Sequence, residues 1–252
     1  MSYFTEYNSF VIYPRESVAV IKINDKVFDL VTDLEESDHL MDVIKKSEND
    51  KKIMALLITN EPGCFGEDIY DQFIHKILEQ HSHTNKDDLP DFTEKNIRFR
   101  EINILNKFIR EILDYQKLCY VGINGDIVTP FFGTSLAADF RYATENTRII
   151  LAHNKFGLHP SGALPFFLSN YLSHSKAIEI QLSHDISAEE AKNLGLINHI
   201  FSEENFEDQC LDIINKHLHC STCTIQRTKQ LTNFSRRDFY NYLQYEADLL
   251  NL

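Results

Sequence analysis

Apolar and polar residues follow two periods along this chain, and the places where they switch mark its elements. Two short apolar runs, Phe10–Tyr13 and Val18–Ile23, flank Pro14-Arg15-Glu16-Ser17 and predict a hairpin with that tetrapeptide as its turn. Ile53–Thr59 is almost wholly apolar, as a strand covered on both faces is. Over Leu30–Lys46 the apolar residues Leu30, Leu34, Leu40, Val43 and Ile44 recur at helical spacing. Asp33 and Glu35 stand early there and Lys45-Lys46 late, which suits the helix dipole. Asn96–Leu113 predicts a strongly amphipathic helix through Ile97, Ile102, Leu105, Phe108, Ile109 and Ile112. From Ile123 the chain reads as strand, Asn-Gly turn, loop, small-residue helix (Gly133 to Ala138), Asp139 and a further strand. Ser187 and Glu190 fit a capping box that opens a helix, and Gly195 closes it before another strand. Residues 80–95 are polar, carry one proline, and predict a mobile loop beside an active site. There is no internal repeat. Strand and helix alternate, so the expected class is α/β with a parallel sheet and helices around it.

Composition narrows the partners more than it narrows the fold. A chain of 252 residues, 43% of them hydrophobic, can bury a sizeable core. Its formal net charge of −13 opposes binding to nucleic acid or to an anionic membrane surface. An acidic protein partner would need a local basic patch, for which Lys26, Lys51-Lys52 and the group Arg227, Lys229, Arg236 and Arg237 are candidates. The start MSYFTEYNSF has neither a basic n-region nor an apolar h-region, and no apolar run approaches ~20 residues, so neither signal peptide nor membrane span is expected. Of the five cysteines, Cys220 and Cys223 have CxxC spacing but no second pair to complete a metal site. Reduced thiols and a cytoplasmic location are the expectation, with no metal.

Several motifs in order carry a family resemblance. Val18–Asn24 is similar to a first strand, and Ile53–Thr59 to the strand before a first active-site loop. Gly66-Glu67-Asp68-Ile69 matches a small-Gly-x-Asp-Leu loop, and Ala138-Asp139 and Gly157-Leu158-His159-Pro160 match later signposts. Gln226-Arg227-Thr228-Lys229 resembles a late lysine helix, and Phe239–Leu252 the acidic helix after it. Together, over about Val18 to Lys229, the chain resembles the crotonase (enoyl-CoA hydratase/isomerase) superfamily. It looks nearest to the dehydratases of polyketide β-branching cassettes. The resemblance implies a crotonase-like spiral of ββα repeats. Residues 1–200 would form the core and 201–252 a C-terminal helical trimerisation region, shortened here. It also implies a homotrimer or a dimer of trimers. No cofactor is implied beyond the substrate thioester itself, on CoA or on the phosphopantetheine of an acyl carrier protein.

The same resemblance assigns the candidate site. Members of this family stabilise an enolate-like thioester oxygen with two backbone N–H groups. The first position is Glu67, where any side chain serves. The second falls on Pro130, which has no N–H to give. Either Phe131 donates after a shift of one residue, or half of the hole is lost. Hydratases carry two glutamates at positions that here hold Gly133 and His153, so water addition by paired glutamates is not expected. His153, of the residue type best suited to move protons near neutrality, becomes the expected proton-transfer group, with Asp68 across the acyl pocket as partner. The competing roles are structural: His153 capping a strand end or bonding a neighbouring loop, Asp68 tying down the next helix. Gly133, His159 and Ser161 are expected to line the substrate pocket. A His159–Ser161 nucleophilic pair lacks a third group, and His81 and His83 read as solvated. Two classes of function remain open. One is an enzyme on an acyl thioester, carrier-bound in preference to CoA-bound, performing dehydration, decarboxylation, isomerisation or hydrolysis through an enolate. The other is a crotonase-fold binding or structural protein without catalysis.

Overall fold

The computed structural model describes residues 4–77 and 95–250. Of the loop expected over 80–95, residues 80–94, with His81 and His83, lie outside the described residues, and Lys95 begins a helix.

The chain begins with three antiparallel strands, β1 (Thr5–Glu6), β2 (Phe10–Arg15) and β3 (Val18–Ile23). Helices α1 (Val27–Thr32) and α2 (Leu34–Asn49) lead to β4 (Ala55–Asn60), which pairs parallel with β3. Helices α3 (Glu67–Ile77) and α4 (Lys95–Asp114) precede β5 (Leu118–Ile123). Then come β6 (Ile127–Val128), α5 (Thr129–Ser135), β7 (Phe140–Thr144) and β8 (Arg148–Ile150). A 3-10 turn over Ala152–Phe156 is followed by α6 (Leu164–Tyr171), α7 (His174–Gln181), β9 (Asp185–Ser187), α8 (Ala188–Asn193) and β10 (His199–Phe201). Helices α9 (Phe206–His217), α10 (Thr222–Thr232) and α11 (Phe239–Leu250) complete the described chain. The main sheet runs β1-β2-β3-β4-β5-β7-β10 and is parallel from β3 onward; β6, β8 and β9 form a second, smaller sheet. This is the expected α/β class with a largely parallel sheet, surrounding helices and a helical C-terminal region, to which the structure adds the second sheet.

The apolar runs are sorted by the two-residue period of a strand. Ala19, Ile21, Leu56, Ile58, Cys119 and Val121 face the large core under α1, α2, α4 and α5. Their neighbours Val18, Val20, Ala55, Leu57, Tyr120 and Tyr142 face a smaller core closed by Phe206, Cys210, Leu211 and Ile214 of α9. Both faces are therefore covered, which is why the strands read as continuous apolar runs rather than as alternation. Phe239 and Leu243 of α11 return to the large core.

Three local expectations are corrected. Pro14 and Arg15 belong to β2, paired with Ala19 and Val18, and only Glu16-Ser17 turn, with Glu16 at φ 54°. Strand β1 covers only Val11 and Ile12, so Pro14 lies beyond it on that side, where a missing N–H costs little. The helix expected over Leu30–Lys46 is two. Asp33 is extended at φ −96°, ψ 126°, and its carboxylate accepts from Glu35 N (2.8 Å) and Glu36 N (3.2 Å), so it ends α1 and caps α2. The small-residue helix starts at Thr129, four residues early, because Pro130 sits in its first turn, where its fixed φ suits a helix and its missing N–H would be unpaired anyway. The capping box at Ser187 and Glu190 forms as expected, and Gly195 adopts φ 74° after α8.

Candidate active site

The parallel strands β4 and β5 end side by side, and their following loops are laced together. The Asn60 side chain accepts from Asn124 N (2.9 Å) and donates to Asn124 O (2.9 Å). Further on, Val128 N donates to Phe65 O at 2.9 Å. Phe65 lies two residues before α3 and Val128 caps α5, so the two helices begin next to each other. The rings of Phe65 and Phe131 stack at 4.8 Å and fix that approach. The first-turn N–H groups of a helix have no partner within it and carry the positive end of its dipole. Glu67 opens α3 and Thr129, Pro130 and Phe131 open α5. Glu67 and the Thr129–Phe132 segment are thus brought together. Pro130 contributes no donor there, and Phe131 is the next residue of that turn with an N–H.

Position 133 is filled by backbone. A Cβ on Gly133 would stand 2.5 Å from the carbonyl oxygen of Gly162 and 3.0 Å from that of Ser161. In return, a Cβ on Gly162 would fall closer still to the carbonyl oxygen of Pro130, and Gly162 has φ 70°. Two glycines face each other here because nothing larger lets helix α5 and the 161–163 segment touch. Gly133 and Ser161, expected to line a substrate pocket, are buried against one another through this contact. The space that a longer side chain at position 133 would need is taken.

His153 is clamped by both ring nitrogens. Nδ1 lies 2.8 Å from Thr129 Oγ1 and Nε2 lies 3.1 Å from the carbonyl oxygen of Gln181. A carbonyl only accepts, so Nε2 carries the proton and Nδ1 accepts from the Thr129 hydroxyl. Burial pushes the His153 pKa down to about 4, so the ring is neutral at pH 7. Beside it, Asn154 Nδ2 donates to Gln181 O and Ser183 O, both at 2.8 Å, stapling the Ala152–Phe156 turn to the end of α7. His159 is half-buried and likewise pushed down to about 4, first by burial and then by the charge of Arg98.

Asp68 lies exposed on the first turn of α3. No hydrogen bond joins Asp68 to His153, or His159 to Ser161, among the described residues. The Glu67 carboxylate is held instead by Lys155 Nζ at 3.0 Å, and Lys155 also pairs with Asp71. That pair of bridges ties α3 to the same turn that carries His153. Sequence reasoning missed Thr129, Lys155 and Gly162. Thr129 could have been suspected as a polar residue just before Pro130, whereas nothing near Lys155 in sequence points to Glu67. It also missed the ion pair of Arg98 and Glu101 on α4, which are 3% and 0% exposed beneath Tyr70 of α3.

Away from this site, Asp139 Oδ2 accepts from Cys119 N and from Lys229 Nζ, both at 2.8 Å, so two of the sequence signposts meet as a buried pair. Among the described residues no group of His, Cys, Asp and Glu could hold a metal ion, and no helix is long and apolar enough to cross a membrane.

Known proteins share this fold. The chain is 25% identical to a protein of Mycobacterium leprae described as a probable enoyl-CoA hydratase, over 86% of this chain and 72% of the relative. It is 25% identical to the short-chain-enoyl-CoA hydratase of Clostridium acetobutylicum, over 96% of this chain and 88% of the relative. Its fold matches the crystal structure of an enoyl-CoA hydratase from Bacillus halodurans with a TM-score of 0.76, at 18% identity, over 96% of this chain and 93% of that one. The family model for enoyl-CoA hydratase/isomerase matches residues 102–251, well over half of the sequence and the stretch that holds α5, His153 and the Asp139–Lys229 pair. The chain belongs to the enoyl-CoA hydratase/isomerase family.

Proposed function

We propose that this protein binds an acyl thioester with its carbonyl oxygen between the N-termini of α3 and α5, and that any reaction there proceeds through an enolate without hydration. The single observation behind this reading is the hydrogen bond from Val128 N to Phe65 O, which starts the two helices side by side. Donors fixed where negative charge develops are the strongest electrostatic aid to such chemistry. Glu67 N–H and Phe131 N–H are the donors proposed, in place of Pro130. Hydration is set aside because Gly133 offers no side chain and His153 has both nitrogens engaged. Asp68, exposed and close to Glu67, is the proposed acid/base group, while His153 is proposed to hold the Ala152–Phe156 turn against α5. Relatives named as enoyl-CoA hydratases make a CoA thioester the substrate class to test first. A carrier-bound acyl group of the β-branching dehydratase kind comes second, and a homotrimer or a dimer of trimers is the proposed assembly. All five cysteines are free thiols, in keeping with a cytoplasmic setting.

The contact between Gly133 and Gly162 favours a second reading, a protein that binds the thioester and does not turn it over. Calorimetric titration with CoA, acetyl-CoA and crotonyl-CoA, followed by mass spectrometry of acetyl-CoA in deuterated water, separates the two. The first reading expects thioester binding and exchange of α-protons for deuterium, with no hydration of crotonyl-CoA. With Phe131 N–H as the second donor, Pro130→Gly should leave that exchange near wild type, and a gain approaching the roughly 100- to 1000-fold worth of one oxyanion donor would mean that Phe131 does not donate. Binding without exchange in both wild type and Pro130→Gly would select the second reading, and failure of every thioester to bind would overturn both.

A further inference from the structure

A groove of about 550 Å³ opens at the opposite end of the sheet, where β5 and β7 begin. Helix α10 roofs it with little contact: of its eleven residues only Lys229 is buried, and Leu231 is 78% exposed. On the floor lies Arg141, 1% exposed. Its Nε donates to Leu196 O (2.6 Å), Nη1 to Ala138 O (2.9 Å) and Nη2, weakly, to Tyr171 Oη (3.4 Å). From the wall, Arg236 donates to the same Tyr171 hydroxyl at 2.6 Å and to Ala137 O at 3.0 Å.

Neither arginine has a carboxylate partner among the described residues. Among the described residues the one acidic group lining the groove is Asp139, which is hydrogen-bonded by Lys229 and Cys119 N and acts on Arg141 by charge alone. Asp139 therefore answers the fully buried Arg141 only in part, and Arg236 has no carboxylate bonded to it among the described residues. The carbonyls of Ala137 and Ala138 follow the C-terminal end of α5 and that of Leu196 follows α8, and a helix end offers only about half a negative charge. Arginine is almost never fully buried unless paired, and an unpaired buried charge is costly. The Tyr171 ring lies within 5.2 Å of the Arg141 guanidinium carbon and 5.8 Å of that of Arg236, which eases their repulsion but does not neutralise it. In a chain of net charge −13, two arginines with this little carboxylate among the described residues, beside a solvent-connected space, favour an anion bound from outside.

We infer that this groove is a binding site for a multiply charged oxyanion, a small organic phosphate, gripped by the guanidinium groups of Arg141 and Arg236 on either side of the Tyr171 hydroxyl. Guanidinium forks suit phosphate oxygens, and charge-assisted hydrogen bonds are the strong ones. The volume exceeds what a bare phosphate fills, and Asn198, Thr228 and Phe140 line the remainder. The site is independent of the thioester reading, since α3 and α5 start at the other end of the strands.

The test is calorimetric titration of the full chain with inorganic phosphate, pyrophosphate and citrate, in chloride buffers of matched ionic strength. One pyrophosphate per chain is expected, bound more tightly than phosphate and more weakly as chloride is raised. Arg236→Gln should weaken pyrophosphate binding about tenfold or more, while Arg227→Gln, on the exposed side of α10, should leave it unchanged. If Arg236→Gln fails a circular-dichroism check of folding, Arg236→Lys, which keeps the charge and loses the fork, should bind several-fold more weakly than wild type. Responses to all three anions no larger than matched chloride would overturn the inference, as would unweakened binding by the folded Arg236 variant. Binding of citrate alone would keep an oxyanion site and overturn the phosphate.

Discussion

The two ends of the same parallel strands have been treated differently. At the C-terminal ends of β4 and β5 the backbone frame stands around Pro130, Gly133 and a clamped His153. At the N-terminal ends of β5 and β7, the pair Asp139 and Lys229 links the edge of the sheet to α10 through buried charge. One end is tied by a charge pair, while the other is filled by residues that pack. The difference teaches that the site is closed by fit rather than worn loose: a glycine meets a glycine, and a histidine fills two hydrogen bonds.

The sharpest way to break that comparison is Gly162→Ala. It combines a positive φ with a Cβ driven into the Pro130 carbonyl. Strain at such a φ costs about 1–3 kcal/mol and overpacking about 1–3 kcal/mol more, so a loss of about 4 kcal/mol is expected. Gly157→Ala is the internal control: Gly157 has φ 63° but nothing within 4 Å of its Cβ position, and should lose only the strain. Urea denaturation of both variants measures this. Equal losses would mean that the contact between α5 and the 161–163 segment is not tight.

Much of the frame was legible in sequence because it rests on local rules. Continuous apolar runs declared doubly covered strands, and Ser187 with Glu190 declared a capped helix. The split at Asp33 was hidden because the apolar spacing runs through it, and only the extended backbone of one residue breaks the helix. At the site, the residues expected to matter at 130, 133 and 153 could be named from the resemblance, but what packs around them could not. Gly162 reaches Gly133 from 29 residues away, and Lys155 reaches Glu67 from 88. Contacts of that range come from tertiary packing and leave no local periodicity to read.

The frame end is tested by Lys229→Met. It removes a buried cation and leaves the Asp139 carboxylate with Cys119 N as its hydrogen-bond donor among the described residues. Breaking a buried pair from one side costs about 3–5 kcal/mol, and the lower figure is expected because the Asp139 side chain keeps 15% exposure. Adding Asp139→Asn should recover part of the loss by removing the stranded charge. If the double variant is no more stable than Lys229→Met, the pair is not acting as buried charge.

The smallest expected effect concerns His153 and bears on whether it clamps or catalyses. Its folded pKa lies near 4 because burial disfavours the charged ring, and its unfolded pKa lies near 6.5. The unfolded chain therefore takes up a proton before the folded one does. Stability that is whole above about pH 6.5 should fall as the pH drops, and the loss should level off below about 4. A shift of this size corresponds to about 3 kcal/mol across that window. His159 is shifted the same way and adds to the slope in any variant that keeps it. Urea denaturation of wild type and His153→Gln between pH 7.5 and 4.5 isolates the contribution. The variant's curve should be flatter by about one proton, while its α-proton exchange, measured at pH 7.5, stays near that of wild type. Parallel pH curves would deny the clamp. A flatter curve together with a fall of about 100-fold or more in exchange would return His153 to proton transfer, since acid–base assistance is worth at least that much.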